Sequence, residues 1–154
     1  MNSKSYITKG FQLLSVLDLG GMVPMPQAAV AIDKGDVLFD DGSGYITNVG
    51  TAFAATFFGV AGHDSDNSGG SAGDKTLLCV PALTHYKWRV KNTSATVAAQ
   101  TDVGEVIDLE ANDAVDVTDV TVTAWGFRVD EIDISTDAIA ANAGGFVKGS
   151  FVRA

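Results

Sequence analysis

Cysteine, histidine, proline and basic side chains are all scarce in this chain. Cys79 is the only cysteine among 154 residues, so no intrachain disulfide forms. Its neighbours Leu77, Leu78 and Val80 mark it as a small buried hydrophobe, expected in a chain that folds in a reducing cytoplasm. His63 and His85 lack Cys or Glu at ligand spacing, which leaves no zinc motif. No run approaches the roughly eighteen apolar residues of a membrane helix. Residues 11–19 are too short, and with Asp18 too polar, for a signal-peptide core. A soluble protein without a membrane partner is expected.

Ten basic residues face nineteen acidic ones, giving a net charge of -9 and a pI near 4.4. A nucleic-acid binder draws much of its affinity from neutralised phosphates, so this balance argues against such a partner. A nucleophile elbow, a phosphate-binding Gly-rich loop and a paired-carboxylate motif are missing too. The expectation is therefore no enzyme, no catalytic residues and no cofactor or metal. One fragment, Asp64-Ser65-Asp66-Asn67-Ser68-Gly69, opens like a calcium loop, but Lys75 stands where the bidentate Glu belongs and no helical pattern flanks it. It reads as a surface loop between strands.

What the chain does contain is glycine, seventeen residues, and short apolar runs within a 46% hydrophobic composition. That pattern predicts an all-β fold: one compact barrel- or sandwich-like domain over 28–154, with about eight short strands and an extended N-terminal arm over 1–27. The clearest strand covers residues 85–91. Tyr86, Trp88 and Val90 fall on one side of a period of two, and His85, Lys87, Arg89 and Lys91 on the other. Lys87, Arg89 and Lys91 thus form a basic stripe on an acidic chain, expected to face a protein partner, because complementary charge steers association.

In the arm, Phe11, Leu13, Leu14, Val16 and Leu17 are large apolar side chains without a regular period, followed by Gly20-Gly21 and by Pro24 and Pro26. Their reading is an extended segment covering apolar surface on another chain. The plainer reading is a first strand with a frayed end.

Further along, residues 37–39 and 45–49 around Asp40-Asp41-Gly42-Ser43-Gly44 predict a hairpin. Gly59 and Gly62 within the strand over 53–62 predict a bulge or a close backbone approach. Strands are also expected over 76–80, 103–109, 120–134 and 146–153, with Trp88 and Trp125 both buried. Asp137 is expected to cap a helical turn closed by Gly144 and Gly145. The acidic residues of the C-terminal part read mainly as a solvated face.

Ala31-Ile32-Asp33-Lys34-Gly35-Asp36-Val37-Leu38, the Asp/Gly turn, and Phe58-Gly59-Val60-Ala61 before a polar loop and an apolar strand together resemble the head decoration, or cement, proteins of tailed bacteriophages. Val103-Gly104-Glu105-Val106-Ile107-Asp108-Leu109, then Asp113-Ala114-Val115-Asp116-Val117-Thr118-Asp119 and a Trp/Phe-rich strand, look like the back half of related phage structural proteins. The resemblance spans residues 28–134. It implies a β-domain that binds the outside of an assembled capsid, often as a trimer at three-fold positions, and stabilises the shell. The implied partner is the major capsid protein, and the implied location is the virion exterior after synthesis in the host cytoplasm. Residues 1–27 fit the arm that becomes ordered on the capsid in that family. This chain is longer than the smallest members and has a larger acidic back half. The alternative is a head-fibre or tail module that binds a receptor or carbohydrate, whose mark would be exposed aromatic side chains in a groove.

Overall fold

The computed structural model describes residues 6–18, 21–50 and 52–153. Met1 to Ser5 of the expected arm, together with Leu19 and Gly20, lie outside the described residues. In chain order the first strands are β1 (Gln12–Leu13), β2 (Val23–Pro26), β3 (Ala31–Ile32), β4 (Val37–Asp40), β5 (Ile46–Thr47), β6 (Phe57–Ala61) and β7 (Ser65–Asp66). They continue with β8 (Thr76–Pro81), β9 (Trp88–Lys91), β10 (Val106–Ala111), β11 (Ala114–Asp116), β12 (Trp125–Asp133) and, after the short helix α1 (Thr136–Ala141), β13 (Phe146–Arg153). The all-β expectation holds. The strand number among the described residues exceeds the expected eight by β1, β2, β3, β7 and β11, pieces of two to four residues that are too short to show a period.

A six-stranded sheet in the order β1-β9-β13-β12-β10-β11 packs against a five-stranded sheet in the order β2-β8-β6-β4-β5. The strands within each sheet pair antiparallel. Phe151 on β13 stands at the centre of the shared core. Its ring lies 4.9 Å from Phe57, 5.2 Å from Phe11, 5.5 Å from both Trp88 and Phe127, and 5.6 Å from Phe53. Tilted and edge-on pairs at these separations add to the stabilisation that burial alone provides.

The five-stranded sheet is covered on its other face as well. A small sheet of β3 and β7 lies near a second cluster of Ile32, Leu38, Ile46, Ala61, Leu77 and Cys79. This explains the unbroken apolar run of β4, where Val37 and Phe39 join the central core while Leu38 joins the second cluster. Buried amides tie the covering layer down. Gln27 Nε2 donates to the carbonyls of Val30 (2.8 Å) and Ser65 (3.0 Å), and Asn67 Nδ2 donates to Ser71 O (2.9 Å). The side chains of the loop that opens like a calcium site are engaged in the protein's own hydrogen bonds. Asn67 is buried in this network, and Asp66 Oδ1 accepts from Ser68 N and Oγ.

Within the expected arm, residues 12–13 and 23–26 form edge strands of the sandwich. β1 pairs with β9, Gln12 opposite Arg89 and Leu13 opposite Trp88, and β2 pairs with β8 from Val23 opposite Cys79 to Pro26 opposite Thr76. Pro24 and Pro26 stand on the outermost strand of their sheet, where the missing N–H groups cost no ladder bond and discourage further strand addition. Gly10 and Gly35 make the entry to β1 possible. Their backbones cross in contact, Phe11 N donating to Gly35 O (2.8 Å), and both adopt positive φ, +73° and +91°.

The expected hairpin is β4–β5. Gly59 meets its expectation, since a Cβ there would overlap Val80 O, and the β4–β6 register shifts beside it at Leu38 and Phe39. The helix forms, but Ser135 caps it, its Oγ accepting from Ala138 N (3.3 Å), while Asp137 sits in the first turn. Trp88 is buried, whereas Trp125 is half-buried, with the Arg153 guanidinium 4.7 Å from its ring centre. Asp108 and Asp133 depart from the solvated acidic face because hydrogen bonds replace their water. Asp108 Oδ1 accepts from Phe53 N (2.7 Å) and Leu109 N (2.8 Å), and Asp133 Oδ1 accepts from Ser135 N (3.1 Å).

Candidate functional site

Strand alternation sends Trp88 and Val90 of β9 into the core and leaves Arg89 and Lys91 half-buried on the opposite face, with Lys87 exposed just before the strand. Each of the three then meets side chains of this chain. Lys87 Nζ lies 2.6 Å from Asp130 Oδ2, and Lys91 Nζ lies 3.3 Å from Asp113 Oδ2. Arg89 donates to Gln12 Oε1 (2.7 Å), and its guanidinium sits 5.0 Å from the centre of the Tyr6 ring. In register on the same face, Lys148 stands opposite Arg89 and bonds Glu131 (3.3 Å). The stripe is one row of a charge-paired sheet face. Asp130 shows the effect most clearly: partial burial raises its pKa, yet the hydrogen bonds from Lys87 and Arg128 outweigh that and hold it below the ordinary aspartate value.

The five apolar side chains of the N-terminal segment divide into two groups. Phe11 is 4% exposed in this chain's own core, with Trp88 and Phe127 as further ring neighbours at 6.5 and 5.6 Å. Leu13 and Leu17 are half-buried and pack against that core. Leu14 and Val16 point outward, Val16 being 89% exposed. This division follows from the β1–β9 pairing, which turns alternate side chains to opposite faces.

The outward pair lies along a defined edge. Leu14 N donates to Lys87 O (2.8 Å), Ser15 Oγ accepts from Lys87 N (2.8 Å), and Asp18 N donates to Tyr86 Oη (3.1 Å). Tyr86 N in turn bonds Leu83 O (3.1 Å), and the Leu83 side chain is exposed. Leu14, Val16 and Leu83 thus border Lys87 and His85 at one end of the six-stranded sheet. His85 Nε2 lies 2.7 Å from Asp18 Oδ2. This edge is the best candidate contact surface. Leu83 was missed in the sequence because it stands between strands, where no period marks which side chains stay outside.

Chemistry is thin elsewhere. Among the described residues no group of three or more His, Cys, Asp or Glu side chains is placed to hold a metal ion, and no helix is long and apolar enough to cross a membrane. Asp36 is largely buried, its Oδ2 accepting from Asp33 N (3.0 Å) and Asn48 Nδ2 (2.9 Å). Burial pushes its pKa up despite those bonds. Burial likewise pushes the Cys79 thiol up to about 12. Both belong to the packing around the five-stranded sheet.

Comparison with protein-family models, with curated proteins and with solved structures gives no match, so no family is assigned to the chain.

Proposed function

We propose that this protein is a structural component of a tailed-phage head, binding the outside of the assembled shell and stabilising it, with the major capsid protein as partner and the trimer as its working form. The observation that carries the reading is the exposure of Leu14, Val16 and Leu83 on neighbouring segments beside Lys87 at one edge of a β-sandwich. Exposed leucine and valine beside charge is the composition of a docking surface with an apolar centre and polar rim. The resemblance of residues 28–134 to decoration proteins supplies the partner. The glycan-binding alternative has less support, because every Phe, Tyr and Trp side chain among the described residues is buried or half-buried, and none of them is fully presented to stack on a sugar.

The test mixes the purified chain with empty shells of the phage whose genome encodes it, followed by co-sedimentation and electron microscopy. Wild type is expected on the shell exterior, and sedimentation velocity is expected to give a three-chain mass. The double variant Leu14→Asp, Val16→Asp is expected to melt like wild type and to be lost from the shells. Wild type that fails to sediment with shells, or a double variant retained as well as wild type, overturns the reading.

A further inference from the structure

A cavity of about 510 Å³ opens between β1 at the edge of one sheet and β6 and β8 of the other. Its wall is mainly apolar, with Phe11, Leu13, Met22, Val60, Val80 and Trp88 contributing. Two lysines, Lys9 and Lys34, line it and are exposed, which puts them at its rim. The Gly10–Gly35 backbone crossing holds them together, since each lysine immediately precedes one of the crossing glycines and Phe11 N bonds Gly35 O.

These lysines differ from the chain's other described basic side chains. Lys87, Lys91, Arg128 and Lys148 have carboxylate partners, Arg89 bonds Gln12, Arg153 stacks on Trp125 and Lys75 bonds a backbone carbonyl. Neither Lys9 nor Lys34 has a carboxylate partner among the described residues, on a chain with nineteen acids. Asp64 also reaches the rim, where its Oδ1 accepts from the Lys34 backbone N–H (2.7 Å). Trp88, which lines the cavity, also carries an unmatched group on its ring system. Trp88 Nε1 is a buried donor with no acceptor, a cost that native interiors rarely leave unanswered.

We propose that this cavity binds a small single-chain amphiphile with a carboxylate head, its alkyl chain between the sheets and its carboxylate at Lys9 and Lys34. A chain of about eight to twelve carbons suits a cavity of this size, since pockets of about 300–1,000 Å³ take small ligands. The apolar wall accounts for affinity and the two free ammonium groups for the sign of the head group. The site is independent of the capsid reading, because it lies between the sheets and uses neither Leu14 nor Val16.

Trp88 lines the cavity, so it can report on occupancy. In the otherwise intact chain, Trp125→Phe leaves Trp88 as the sole tryptophan. Its fluorescence is followed while decanoate, decanol or decylammonium is added below the micellar range. Decanoate is expected to give a saturable change, with decanol weaker and decylammonium without saturation. Adding Lys9→Gln and Lys34→Gln is expected to weaken decanoate binding by about tenfold, the scale of two partly solvated ion pairs. Both positions are exposed, so the fold is expected to melt unchanged. Absence of saturation with decanoate overturns the proposal. Equal binding of all three amphiphiles, or an unchanged decanoate affinity in the lysine variant, also overturns it, since the lysines would then select nothing.

Discussion

Phe11→Ala separates an integral first strand from a detachable arm. In the structure the ring is 4% exposed and lies 5.2 to 6.5 Å from the rings of Phe151, Phe127 and Trp88, at the seam between the two sheets. Truncating a buried phenylalanine removes its transfer free energy and leaves a hole that rigid aromatic neighbours fill poorly, a loss of about 3–5 kcal/mol. For a domain of this length each kcal/mol moves the melting temperature by roughly 2–4 °C, so a fall of about 6–20 °C is expected. The whole stability of a domain is typically about 5–15 kcal/mol, and the loss is therefore a large part of it. Urea denaturation of the free chain, with the slope checked for two-state behaviour, measures the change. Val16→Ala is the internal control: the side chain is 89% exposed, and a change within about 0.5 kcal/mol is expected. If Phe11→Ala is as neutral as Val16→Ala, the ring does not occupy the core in solution. The segment over 1–27 would then be the separable arm that its composition first indicates.

Asp36 has a folded pKa raised by burial, so the folded state holds its proton more tightly than the unfolded chain does; the stability this confers is full below the ordinary aspartate value of about 3.9 and declines as pH rises through the raised folded value. Asp36→Asn is expected to flatten that decline in urea midpoints taken from pH 4 to 7, and an unchanged pH profile would refute the assignment. The Cys79 thiol, pushed up to about 12 and buried, is expected to ignore a thiol reagent in the native state and to react fully in urea, and rapid native labelling would contradict its placement. Gly59→Ala is expected to destabilise by about 1–3 kcal/mol, because its Cβ would overlap Val80 O, and a neutral result in denaturant would mean that β6 and β8 are further apart.

The elements that the sequence made legible share one property, a side-chain pattern matched to one buried face. Residues 85–91 are the clearest case: burial in the structure follows the alternation residue by residue. The β4–β5 hairpin and β13 were legible for similar reasons, a turn rich in Asp and Gly in one and a bounded apolar run in the other. The N-terminal segment was opaque because β1 has two residues and β2 carries two prolines, so neither shows a period although both are hydrogen-bonded edges. Prolines that suit an outermost strand look, in sequence, like the end of regular structure. The basic stripe was legible as a face, but its partners were not. Asp130 and Asp113 lie more than twenty residues from Lys87 and Lys91 in the chain, and only the β9-β13-β12 and β11 placements bring them near. Lys9 and Lys34 passed unnoticed for the same reason, since nothing local announces the Gly10–Gly35 crossing that joins them.

That the N-terminal segment is built into the sandwich changes how it would act on a partner. A flexible arm that orders on contact must offset about 1–2 kcal/mol of backbone entropy for each residue fixed. Here the segment from Phe11 to Asp18 is already tied to residues 35 and 86–89 by the bonds of Phe11, Leu14, Ser15 and Asp18 and by the β1–β9 pair. Folding has therefore met the ordering cost before any encounter. On the proposed function, burying Val16, 89% exposed, would then contribute roughly 1.5–3 kcal/mol, and Leu14, 42% exposed, less than half as much, with little subtracted for order. The same rigidity fixes the spacing of the two side chains against Leu83 and Lys87, so a partner must match a preformed edge. On the proposed function, the buried Phe11 ring would hold the strand in place and the exposed Val16 side chain would meet the partner from that fixed position.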